Sequence, residues 1–199
     1  VITVRPEDVT PPVTYLTAGD PKVEGDPFFV TPSTFLTLTA EDLIVNGFAS
    51  GVSEIRFGLD AAEATTVYTG PFALTGVAEG SHAFVFQSVD HLGNVEPFQA
   101  RMIAIDTLPP VTVLIHTTPT ARFTLEVLSA TLLVAPGDTL ELVAVDSGSG
   151  VGVTSFGFNE TLVAYPGGAL PYHPQTDGEK TLRFFSADRL GHVEAAHVV

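Results

Sequence analysis

Two nine-residue stretches constrain this chain more than anything else in it: Ser88-Val89-Asp90-His91-Leu92-Gly93-Asn94-Val95-Glu96 and Ser186-Ala187-Asp188-Arg189-Leu190-Gly191-His192-Val193-Glu194. They are near copies standing 98 residues apart (188 − 90 = 98). Each follows an apolar-polar alternation, Phe84-Val85-Phe86 in the first and Leu182-Arg183-Phe184-Phe185 in the second. That pattern is a half-buried strand running into a tight turn. The spacing matches the length of one small β-sandwich, so the chain is expected to hold two similar domains in tandem.

The rest of the chain repeats with the motif. Thr34-Phe35-Leu36-Thr37-Leu38-Thr39-Ala40, leading to Glu41-Asp42, has its partner in Thr139-Leu140-Glu141-Leu142-Val143-Ala144-Val145-Asp146. Ser50-Gly51-Val52 matches Ser149-Gly150-Val151, and the first repeat carries five extra residues in the loop before it, a tolerated place for an insertion. The junction Asp106-Thr107-Leu108-Pro109-Pro110-Val111-Thr112 is echoed by Asp8-Val9-Thr10-Pro11-Pro12-Val13-Thr14. Residues 1–8 therefore read as the terminal strand of a preceding domain or as a donated strand, residues 9–106 as the first domain, and residues 107–199 as the second with its last strand cut short. The two prolines of the linker fix φ and disfavour helix, which points to an end-to-end array with limited bending.

Val, Thr and Phe are abundant and helical spacing is hard to find, while 15 prolines and 18 glycines punctuate the chain into short segments. The fold expected is all-β: two tandem immunoglobulin-like or fibronectin-III-like β-sandwich domains of about seven strands each.

The order Ala-x-Asp, Ser-Gly-Val, Tyr-x-Gly-Pro-Phe (Tyr68 to Phe72), Glu-Gly-x-His (Glu79 to His82), Asp-x-x-Gly-Asn-x-Glu (Asp90 to Glu96) and Asp-x-x-Pro-Pro (Asp106 to Pro110) resembles bacterial Ig-like repeats found in tandem in secreted and cell-surface proteins, the OmpL47-type repeats among them. The second repeat departs from it, with His192 in place of Asn and no Gly-Pro-Phe. The resemblance implies a β-sandwich spacer or binding module in an adhesin, an extracellular filament or a multidomain secreted enzyme.

Eight Lys and Arg stand against 23 Asp and Glu, a net charge of −15 that repels nucleic acid and anionic membrane surfaces and attracts cations. No stretch has the length of a membrane span, and no cysteine is available for disulfides or thiolate zinc sites. In an Ig-like sandwich the turns after the second and sixth strands lie where the chain enters. That end gathers Asp8, Asp42 and Asp90 in one repeat and Asp106, Asp146 and Asp188 in the other, an oxygen-rich set suited to interdomain calcium. A plainer account has each Asp accepting backbone N–H bonds in its own turn, with Gly93 and Gly191 at positive φ, and the commonness of Asp-x-x-Gly hairpins favours it.

The histidines His82, His91, His116, His173, His192 and His197 show no metal-binding spacing, and His82 stands where the second repeat has Lys180. No nucleophile elbow, zincin helix or phosphate loop occurs, so an enzyme is not expected. Among aromatics, Tyr68 and Tyr165 repeat and read as packing, Tyr15 and Tyr172 as surface, and Phe28-Phe29, in a stretch that aligns poorly between repeats, as a partner contact. Asn159-Glu160-Thr161 is a glycosylation sequon. The function expected is a non-enzymatic structural or adhesive segment of an exported surface or filament protein, meeting neighbouring repeats or copies of itself end to end. The alternative is a carbohydrate- or protein-binding accessory region of a secreted multidomain enzyme.

Overall fold

The computed structural model describes residues 7–125, 131–158, 161–170 and 178–199. The strand expected at residues 1–5, the Asn159 sequon, Tyr172 and His173 lie outside the described residues. The chain divides into two compact units, Val1–Asp106 and Thr107–Val199. Among the described residues every regular element is a strand, and no helix is long and apolar enough to cross a membrane.

Unit 1 contains β1 (Val13–Ala18), β2 (Lys22–Val23), β3 (Phe28–Val30), β4 (Phe35–Glu41), β5 (Val52–Leu59), β6 (Thr66–Val67), β7 (Phe72–Ala73), β8 (Gly80–Asp90) and β9 (Gln99–Ile105). They form two sheets, β1-β4-β7 and β2-β3-β9-β8-β5-β6, all pairs antiparallel except β3 with β9. Period-2 alternation decides the layering. In β4 it sends Leu36 and Leu38 inward, and in β8 Phe84 and Phe86, where they meet Val30, Ile103 and Ile105 in one sealed core.

Unit 2 contains β10 (Val111–Thr117), β11 (Arg122–Leu125), β12 (Thr139–Val145), β13 (Val151–Phe158), β14 (Val163–Ala164), β15 (Leu182–Asp188) and β16 (His197–Val198). Its sheets are β11-β10-β12 and β14-β13-β15-β16, enclosing Leu114, Leu140, Leu142, Phe156, Leu182 and Phe184. Each unit is thus an Ig-like or fibronectin-like β-sandwich. The repetition extends to irregularities. The bulge between Val52 and Glu54 recurs between Val151 and Val153, and the bridge Val89↔Val95 recurs as Ala187↔Val193.

One expectation is corrected by the packing. Phe28 is 5 % exposed in the core of unit 1, so it offers no partner a surface. The three-residue β3 alternates in and out, leaving Phe29 half-buried on the opposite face. A short strand held in a parallel ladder by β9 leaves no periodic signal long enough to read from sequence.

Candidate functional site: the carboxylate end of unit 1 and its repeat

The turn that ends β8 is built by one side chain. Asp90, almost wholly buried, accepts the N–H of Leu92 at 2.9 Å and of Asn94 at 2.7 Å on Oδ1, and the Asn94 amide at 2.7 Å on Oδ2. Gly93, at φ +86°, supplies the left-handed residue the turn requires. In unit 2 Asp188 does the same work: its Oδ1 accepts the N–H of Leu190, Gly191 and His192. His192 Nδ1 lies 2.6 Å from the other oxygen, where unit 1 has the Asn94 amide. The turn-capping account of both Asp residues is what the geometry shows.

Around the Asp90 turn the end of unit 1 collects two further carboxylates. Asp8 accepts the Thr10 N–H and hydroxyl on Oδ1 and the Ser50 N–H at 2.8 Å on Oδ2. Asp42 accepts the Gly51 N–H at 2.6 Å on Oδ2, while its Oδ1 is buried with no hydrogen-bond partner. Asp8, Asp42 and Asp90 each bring one oxygen within 4.8 Å of the others. In unit 2 Asp146 accepts the N–H of Gly148 and Gly150 on Oδ1. Asp106 is buried at the close of unit 1, its N–H donated to the Val30 carbonyl.

The side chain that sequence reasoning missed is the Glu closing each motif. Glu96 is buried and lies between the two sheets of unit 1. Its Oε1 accepts the Thr14 N–H at 2.9 Å and the Gln99 amide, and its Oε2 accepts the Thr14 hydroxyl at 2.5 Å, the Ser88 N–H at 3.0 Å and the Ser88 hydroxyl at 3.1 Å. Thr14 is on β1 and Ser88 on β8, so one carboxylate pins sheet to sheet. Glu194 repeats it, accepting the Thr112 N–H and hydroxyl and the Ser186 N–H. A signal was present: Thr, Ser and Glu recur at equal spacing, and Ser88 falls on the same inward face as Phe84 and Phe86. A polar residue repeated on an inward face calls for a buried partner.

These hydrogen bonds set the acid-base behaviour. The N–H groups of Thr10 and then Ser50 hold the Asp8 carboxyl down at about 2. Burial pushes Asp90, Glu96 and Asp188 up, but the bonds from Asn94, Thr14 and His192 outweigh it and leave all three below the usual carboxylate range. Groups depressed in the folded state take protons more readily when unfolded. Their stabilisation is present above about pH 4 and is lost as pH falls through that range toward the folded-state values. The melting temperature is expected to fall steeply between pH 4 and pH 2; a flat profile there contradicts the assignment. Elsewhere in unit 1 His82 clasps Asp60 at 2.6 Å and the Ala78 carbonyl at 2.9 Å, and the Asp60 bond holds its ring above the ordinary histidine range.

The five-residue insertion before Ser50 forms a small hairpin, Val45 bridged to Phe48, and leaves Leu43, Ile44 and Val45 exposed, Ile44 at 74 %. Tyr15, read as surface, is half exposed, and Tyr68 and Tyr165, read as packing, lie edge-on against Phe72 and Phe156.

Fold and geometry together define a tandem of Ig-like β-sandwiches whose shared polar residues build turns and sheet-to-sheet pins. No protein-family model matches the chain, and no curated protein matches it. A solved structure of the fibronectin(III)-like modules of CbhA from Clostridium thermocellum is similar over 93 % of this chain and 92 % of its own, at 16 % identity and a TM-score of 0.41. A likeness that loose carries no residue role and no activity across.

Proposed function

We propose that the chain is a non-enzymatic structural segment of an exported surface or filament protein, an end-to-end spacer or assembly module. The observation that carries this reading is the fate of the residues its two repeats share. Asp90 and Asp188, Glu96 and Glu194, Thr14 and Thr112, Ser88 and Ser186 bond to their own unit's backbone and to one another. What is repeated is therefore the means of holding each sandwich shut. The resemblance of its motifs to tandem bacterial Ig-like repeats supports an extracellular or cell-surface setting. Stretched between its ends, the full chain is expected to unfold in two separate steps, each releasing roughly 30 nm of chain. A single step, or continuous yielding at low force, would sink the spacer reading.

A binding role, as a carbohydrate- or protein-recognising accessory region, is favoured by one feature, the exposed apolar tip Leu43-Ile44-Val45. Specific retention on a polysaccharide or protein surface, lost in Ile44→Ser, is the result that would promote it.

The carboxylate end of unit 1 supports a cation role beside the structural one. Asp8, Asp42 and Asp90 offer oxygen ligands only, the donor set of a hard divalent ion, and Asp42 Oδ1 has no other partner. Calcium suits the cluster, with water or backbone carbonyls completing about six to eight oxygens. Millimolar calcium is expected to raise the melting temperature by a few degrees and Asp42→Asn to abolish the rise; no shift with calcium or EDTA removes the cation role.

A further inference from the structure

The two units differ along one edge of their smaller sheets. In unit 2 β10 is an interior strand, paired with β12 on one side and with β11 on the other, Leu114↔Leu125 and His116↔Phe123 among the pairs. In unit 1 the matching strand β1 pairs with β4, and among the described residues no strand pairs along its other edge. The registers correspond, because Thr14 and Thr112, at the repeat spacing of 98, each donate their N–H to the Glu that closes the motif. The difference arises just after the strand. Thr118 N–H bonds to the Ala121 carbonyl and turns the chain back as β11, whereas in unit 1 the chain leaves through Gly19-Asp20-Pro21 to β2, which joins the other sheet.

The two ends of β1 fix where its main-chain groups point. Thr14 faces away from β4: its N–H goes to Glu96 at 2.9 Å and its carbonyl accepts the Gln99 amide at 3.0 Å. Gly19 faces β4, with its N–H donated to the Phe35 carbonyl at 2.8 Å. Strand alternation then turns the N–H and C=O of Leu16 and Ala18 outward, as Leu114 and His116 turn theirs toward β11. Sheet edges are ordinarily blunted by a proline, a lysine or a bulge. The stretch Val13-Thr14-Tyr15-Leu16-Thr17-Ala18 has none of these, and its six pairs with β4 run without a register shift. Exposed acids stand at both ends of it, Glu41 opposite Val13 and Asp20 just past Gly19.

We propose that the Leu16–Ala18 edge of unit 1 takes up an extended, basic peptide strand of a partner protein, antiparallel to β1, in the place that β11 fills beside β10. Main-chain hydrogen bonds to Leu16 and Ala18 make the attachment. The charge of this chain sets the charge of its partner: two copies at −15 each repel, whereas a strand bearing Lys or Arg meets the acids at the ends of the edge. β11 is a strand of this kind, Arg122-Phe123-Thr124-Leu125, with Arg122 ion-paired to Glu141 at 3.6 Å. Laid on β1 in the register it keeps on β10, its Arg122 falls opposite Gly19, next to Asp20. Proline is excluded where the partner's N–H enters the ladder. The inference goes beyond the spacer reading: a chain that unfolds in two steps but takes up no strand overturns it alone.

The test titrates a capped peptide with the sequence Thr120–Leu125 into the full chain, with the amide resonances of both units observed. Saturable binding is expected, with hydrogen exchange slowed at the Leu16 and Ala18 N–H groups and a rise in the melting temperature of unit 1 alone. N-methylation of the peptide at Phe123, whose N–H enters the ladder, should weaken binding at least about tenfold, and N-methylation at Thr124, whose N–H points the other way, should leave it within about twofold. Arg122→Glu in the peptide should weaken binding about fivefold at low salt and less at high salt. Ala18→Pro in the chain removes one of the two outward N–H groups at a position where an edge strand tolerates proline, and should abolish binding. No saturation at millimolar peptide, equal effects of the two methyl groups, indifference to Arg122→Glu, or exchange slowed only in unit 2 overturns the proposal. So does a chain that sediments as a dimer with Leu16 and Ala18 already protected, for then a second copy holds the edge.

Discussion

Glu96→Ala is expected to destabilise unit 1 by about 4 kcal/mol, a large share of the total for a domain of this size. The substitution strands more than the charge it removes. The N–H groups of Thr14 and Ser88 lose their carboxylate acceptor inside the sandwich, and the two hydroxyls and the Gln99 amide lose it with them. Each buried donor left without an acceptor costs about 1–3 kcal/mol, and relaxation of the hydroxyls toward other partners recovers part of the sum. Glu96→Gln retains one acceptor oxygen and should cost about half as much. Glu194→Ala should also cost less, because Glu194 lies closer to solvent than the buried Glu96. Calorimetry of the full chain reads both: one of two transitions moves down, by about 4–8 °C per kcal/mol. A shift worth less than about 1 kcal/mol for Glu96→Ala would mean the sheets are pinned by something else.

Phe84→Ala is the second large effect, expected at about 3–5 kcal/mol. Phe84 has no exposed surface and sits at the meeting point of four rings, its centroid 5.5 Å from Phe57, 5.8 Å from Phe86 and 6.1 Å from Phe72. Truncation removes the ring's buried area, leaves a cavity that strands from both sheets cannot close, and forfeits the ring-to-ring contacts. Unit 2 carries Leu182 at the equivalent position. Phe84→Leu should accordingly cost much less, about 1–1.5 kcal/mol, because a side chain of that shape is compatible with this layer. Equal costs for Ala and Leu would show that the cluster tolerates no other shape, and a cost near zero for Ala that it collapses without loss.

What was legible beforehand follows from the range of the interactions. β4 and β12, the alternating ends of β8 and β15, and the Asp90 and Asp188 turns rest on period-2 patterning and on hydrogen bonds within four residues, so a linear reading reaches them. The gathering of Asp8, Asp42 and Asp90 was legible too, because the connectivity of an Ig-like sandwich brings the entering chain beside those turns. Glu96 was visible as a letter in the motif but not as a pin, since Thr14 lies 82 residues away and nothing local connects them. Phe28 was misplaced for a related reason: its burial depends on the parallel ladder with Ile103, formed across most of the unit.

If the repeated carboxylates hold the sandwiches shut, as the proposed spacer role requires, weakening them lowers the force at which each unit yields. Stretching the full chain, first as it is and then with Glu96→Gln and Glu194→Gln together, tests it most directly. Two unfolding steps are expected in both cases, with the same released length and a clearly lower force in the double variant. Unchanged force, or two steps merging into one, would contradict it.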